Sequence, residues 1–120
     1  MSVVAQQLYD VCDATWPPAA MHELGPWAIR DGQGGGKRVS AATANSTVSD
    51  SDIAQAEAAM EDMGQTALFM IRDGDDALDK QLEVRGYAIV DPVVMYSIPV
   101  SDLTDVAIPR VTTFCIWEPL

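Results

Sequence analysis

A chain of 120 residues accommodates one ordinary domain with a single shared core, and is too short for a two-domain enzyme. Hydrophobic residues make up 48% and charged residues 21%, a globular balance, and no run approaches the roughly 18 apolar residues that a membrane span requires. The formal charge of −11 argues against nucleic acid or an anionic membrane surface as partner, because those ligands reward clustered Lys and Arg, and it counts equally against a polyanionic cofactor.

The opening stretch from Met1 to Asp13 is polar and carries an acid where a secretion signal needs a basic flank and an apolar run, so a cytoplasmic protein is expected. Cys12 and Cys115 have no metal-type spacing and are expected to be reduced, buried thiols.

In chain order, Val4, Leu8, Val11 and Cys12 recur at helical spacing until Thr15–Pro18 halts the pattern, which predicts a short first helix. Met21 to Gly25 reads as a connector. Trp27 to Arg30 and Arg38 to Ala44 read as two strands around Gly32, Gly34, Gly35 and Gly36, a glycine-rich hairpin. Asn45 to Ser51 holds turn and capping residues, after which Ile53, Ala56, Met60 and Met63 predict a helix stopped by Gly64. Thr66 to Ile71 is a compact apolar strand. Asp73 to Asp76 then introduces a helix on Leu78 and Leu82 that ends at Gly86.

Tyr87 to Val100, rich in Val, Ile and Tyr, reads as a long bent strand with Pro92 and Pro99 marking a bulge or an edge, and Val111 to Trp117 as a final apolar strand. The sum is an α+β domain with a mixed, mostly antiparallel sheet flanked by about three helices. Its expected organisation is one domain over residues 1–120: a helix and connector at 1–20, a core at 21–100, and a connector with an apolar tail at 101–120.

Three patterns invite a chemical reading. Gly32 to Lys37 resembles a phosphate cradle, but a Walker loop needs Gly where Asp31 stands and Ser or Thr where Arg38 stands, and it must open into a helix rather than a strand. What remains is a glycine-loosened loop carrying Lys37 and Arg38, a locally basic patch on an acidic chain. Asp73 to Asp79 offers four carboxylates, yet an EF-hand has a ligand, Gly and Glu where this chain has Ala77, Leu78 and Val84, so the acids are expected to cap the following helix. His22 beside Glu23 lacks a paired Ser or Cys nucleophile, and Trp16, Trp27 and Trp117 are expected in the core.

The run Leu82-Glu83-Val84-Arg85-Gly86-Tyr87, a helix end leading into a strand, resembles the closing helix and strand of the GNAT acetyltransferase superfamily. Gly86 and Tyr87 match the family's Gly-Phe pair, Asp75 stands where its asparagine would be and Leu78 at its alanine. Leu82 replaces the tyrosine that in many members protonates the departing coenzyme A thiolate, a proton leucine does not carry. The family's Gln/Arg-x-x-Gly-x-Gly/Ala loop, whose amides receive the pyrophosphate, falls at Asn45 to Asp52, which has no glycine and two aspartates.

Trp16-Pro17, Arg30-Asp31-Gly32, Lys37-Arg38 and Gly86-Tyr87 match the outline of the degenerate first half of two-half members, and the likeness covers roughly residues 15–100. The resemblance implies the amino-terminal portion of an N-acetyltransferase that moves an acetyl group from acetyl-CoA to an amine. This chain itself is then inactive, binds no cofactor and helps shape the acceptor site through Arg30, Lys37 and Arg38. Its partner is a catalytic GNAT half following residue 120. The alternative is a free-standing interaction module that pairs with another copy of itself through the 111–117 segment.

Overall fold

The computed structural model describes residues 3–103 and residue 107, so the expected strand Val111–Trp117, Cys115 and Trp117 lie outside the described residues. The fold is α+β. In chain order it consists of α1 (Val3–Thr15), β1 (Ala20–Leu24), β2 (Trp27–Asp31), β3 (Thr43–Ala44), α2 (Asp50–Asp62) and α3 (Asp76–Val84), followed by a 3-10 turn at Val100–Leu103. The strands form an antiparallel sheet in the order β1-β2-β3, and one parallel bridge joins Ala42 to Phe69.

α1 ends where expected, but it meets the body through a different face. Val4 and Val11 are exposed, and the half-buried stripe runs through Ala5, Leu8, Tyr9, Cys12 and Asp13. The helix is therefore docked largely by polar contacts: Tyr9 Oη accepts the Asp73 amide at 2.9 Å, and Asp13 pairs with Arg30. Cys12 is a free thiol and half-buried rather than buried.

The Met21–Gly25 connector is instead a strand. β1 and β2 form a tight hairpin with Ala20 opposite Asp31 and Leu24 opposite Trp27, closed by Gly25 and Pro26. Gly25 has φ +56°, the left-handed value that a two-residue hairpin turn requires at its first central position. β1 escaped detection because it is an edge strand: Met21, His22 and Glu23 are all exposed, so burial imposes no apolar alternation on them.

The expected strand Arg38–Ala44 contracts to Thr43–Ala44, because Lys37–Ser40 closes a turn (Ser40 N–H to Lys37 C=O, 3.1 Å) that sinks Val39 into the protein. Thr66–Ile71 likewise keeps only its bridge at Phe69, with Ala42 N–H donating to Leu68 C=O and Met70 N–H to Ala42 C=O, each at 2.9 Å. Tyr87–Val100 is not a strand. Beyond Tyr87 it meets no neighbouring strand among the described residues, and Pro92 and Pro99 supply no amide to a ladder.

The core is built where these elements converge. Trp27 and Ile29 from β2, Ala42 and Ala44, Ile53, Ala56 and Met60 from α2, and Leu78 and Leu82 from α3 form one buried cluster. The apolar residues of α2 and α3 are those whose spacing predicts an inward stripe. Trp27 donates its indole N–H to Asp52 C=O at 2.8 Å, and its ring lies 5.1 Å from that of Phe69, which meets Tyr87 edge-on at 5.3 Å. Trp16, expected in the core, is exposed.

Candidate functional site

The three basic residues singled out by the sequence are not brought together as one surface. Arg30 is 4% exposed and lies inside the protein. Its Nε and Nη2 hold the Asp13 carboxylate at 3.0–3.3 Å, while Nη1 donates to Ala41 C=O at 3.1 Å and to Thr43 Oγ1 at 2.9 Å. A guanidinium with each nitrogen engaged this way joins α1 to the sheet, and its charge is compensated at once. Lys37 is exposed and Arg38 half-buried, both on the glycine loop.

That loop is tied down from within and from below. Gly35 N–H donates to Gly32 C=O at 2.8 Å and Ser40 Oγ to Gly36 C=O at 2.8 Å. Beneath it the amide of Gln65 accepts the Gly32 N–H and donates to Arg30 C=O, both at 2.8 Å. Gly32 is needed for this packing, since a Cβ there would stand 2.1 Å from Ser40 Oγ. Gln65 carries no signal in the sequence, because its partners lie 33 and 35 residues away.

At the start of α2, Ser49 and Asp52 form a capping box. The Asp52 amide donates to Ser49 Oγ at 3.3 Å, and the Asp52 carboxylate accepts from Ser49 N–H at 2.8 Å and Ser49 Oγ–H at 2.9 Å. The Ser49 backbone and then side-chain bonds hold the Asp52 carboxyl below the usual carboxylate value, so it stays charged. Asp50 stands beside it in the first turn.

The start of α3 departs from the expected cap. Asp75, at the N-cap position, makes no side-chain bond to the helix. Its carboxylate turns back to the Arg72 amide at 2.9 Å and to Arg72 Nε at 3.4 Å. Arg72 also reaches the Ala44 carbonyl and lies over the Tyr9 ring, 5.7 Å from its centroid. Ala44, Arg72 and Asp75 line a cleft of about 440 Å³ between the β3–α2 connection and α3, closed on another side by Gln81, which donates to Val48 C=O at 2.9 Å. Among the described residues, no three His, Cys, Asp or Glu side chains gather as a metal-binding group.

No family model, curated protein or solved structure matches the chain. Among the described residues no helix is long and apolar enough to cross a membrane.

The positions that carry the resemblance to acetyltransferases can be followed individually. Leu78 and Leu82 are both buried in the core and present only hydrocarbon. Tyr87, after Gly86, directs its hydroxyl at Glu57 Oε2, 3.0 Å away, and Arg85 holds the other oxygen of the same carboxylate. Burial, reinforced by the Glu57 bond and charge, pushes the Tyr87 phenol up to about 12, so it serves as a neutral clasp between α2 and the end of α3. His22 and Glu23 lie next to each other on β1, where successive side chains point to opposite faces.

Proposed function

We propose that the chain is the amino-terminal, non-catalytic portion of a GNAT-family N-acetyltransferase. In this reading a catalytic half following residue 120 transfers an acetyl group from acetyl-CoA to an amine in the cytoplasm, and the present portion helps shape the acceptor site. The observation that carries it is the amino end of α2. In the resembled family this turn receives the pyrophosphate on bare amides; here Asp52 folds its carboxylate over Ser49, with Asp50 alongside.

Negative charge at that end is favourable to the helix and repels a diphosphate. Part of the outline supports the family reading, namely antiparallel strands, a helix, a segment bridged in parallel to the preceding strand and a helix ending at Gly86-Tyr87, while the strand expected after Tyr87 is not formed. With Arg30 committed to Asp13, the acceptor-side contacts fall to Lys37 and Arg38.

Calorimetry of the 120-residue chain with acetyl-CoA is expected to show no binding at roughly tens of micromolar, the range of an affinity near −6 kcal/mol. One-to-one binding in that range overturns the reading. The coding sequence beyond codon 120 is expected to contain the glycine-bearing acetyl-CoA loop that Asn45–Asp52 lacks.

A further inference from the structure

The extended structure ends in two edges that are finished differently. β1 presents exposed His22 and Glu23, and a charged side chain on an edge discourages pairing with another chain. The opposite edge is Thr66–Ile71. Leu68 C=O and Met70 N–H turn toward Ala42, so the alternation of a strand turns the backbone groups of Ala67, Phe69 and Ile71 the other way. Among the described residues none of those three has a backbone partner. No residue from Gly64 to Ile71 is charged.

The same chain carries a segment of strand composition that joins no sheet among the described residues. Between Pro92 and Pro99 lie Val93, Val94, Met95, Tyr96, Ser97 and Ile98, six residues with no charge and no proline, in a stretch whose nearest charge is Asp91. Val93 is 74% exposed, Val94 72%, Tyr96 90% and Ile98 56%. Their length and composition are those of a strand, and among the described residues their backbone joins no ladder.

We propose that two copies of the chain pair reciprocally, Val93–Ile98 of each adding as a strand to the Thr66–Ile71 edge of the other. Each copy offers one six-residue edge that is open among the described residues and one unpaired six-residue segment of strand composition, so a two-fold arrangement gives both Thr66–Ile71 edges a partner. Within a single copy the strand stands clear of its own edge, as the exposure of Val93, Val94 and Tyr96 records. Two molecules of charge −11 repel one another, but both contacting strips are uncharged, so the repulsion comes from more distant groups and salt screens it.

Sedimentation velocity of the 120-residue chain over a series of concentrations is expected to show a dimer that tightens as NaCl is raised. Val94→Lys places a charge on the strand, and Met95→Pro removes one of its amides. Each is expected to weaken the dimer at least about tenfold while the far-UV spectrum is retained. Amide exchange at Ala67, Phe69 and Ile71 slows with concentration in the unsubstituted chain and not in either variant. A monomer at every concentration, or a dimer that survives both substitutions, overturns the pairing and leaves the acetyl-CoA calorimetry, which reads the acetyltransferase proposal separately, untouched.

Discussion

Arg30 shows how one side chain changes meaning once its surroundings are known. On a strand before a basic, glycine-rich loop it reads as a substrate contact, yet its guanidinium holds Asp13, Ala41 C=O and Thr43 Oγ1 in the interior. Removing one partner of such an arrangement leaves buried acceptors unsatisfied, a loss of about 3–5 kcal/mol for a fully buried pair. Asp13 is 35% exposed, so water offsets part of the loss and Arg30→Ala is expected at the low end, about 3 kcal/mol. Lys37→Ala lies on the loop surface and is expected to change stability by no more than about 0.5 kcal/mol, and Arg38→Ala, at a half-buried position, by less than the Arg30 variant. Urea midpoints of the three variants check the contrast; equal midpoints would show that the Arg30 network contributes little. None of this was legible in the sequence, because Asp13 is 17 residues away on a helix whose docking face includes a carboxylate where an apolar stripe was expected.

Helices were legible and strands largely were not, for a physical reason. The start of α2 is written into four consecutive residues, Ser49 to Asp52, and its stop into Gly64, so local chemistry defines both ends. Strand identity depends on distant partners: β1 has no buried face to impose alternation, and Tyr87–Val100 has the composition of a strand without a described neighbour to pair with. The candidate site divides the same way, since the acids at the α2 entrance were visible while Gln65, Arg72 and Tyr9 act across long separations. Ser49→Ala, which deletes the hydroxyl half of the capping box, is expected to cost about 1 kcal/mol at neutral pH. The Asp52 carboxyl is lowered in the folded state, so its contribution is present above the unfolded carboxylate value and disappears as pH falls through the lowered folded value. The Ser49→Ala penalty therefore shrinks in acid, and paired urea titrations at neutral and acidic pH measure it; a penalty that does not change with pH would show that the bond from the Ser49 hydroxyl to the Asp52 carboxylate contributes little.

At the scale of the molecule, 18 acids face 7 bases, and among the described residues three of those bases are already neutralised within ion pairs: Arg30 with Asp13, Arg72 with Asp75 and Arg85 with Glu57. The remaining carboxylates among the described residues lie mostly at the surface, where folding draws like charges closer together and self-repulsion opposes the compact state. Added salt acts on both populations, but unequally. The Arg30 and Arg72 side chains are 5% and 10% exposed and their pairs are poorly screened, whereas the exposed excess is screened readily. Sodium chloride should therefore stabilise the fold, with most of the gain below about 0.1 M, as the Debye length contracts from about 30 Å to about 10 Å. Melting Met95→Pro, which is expected to remain monomeric, separates this effect from association, because mass action would otherwise raise the midpoint of a salt-tightened dimer. A midpoint that falls as salt is added would instead mean that the ion pairs fastening α1 and α3 to the sheet outweigh the charge excess, and that the acidity of the chain imposes no cost on its folding.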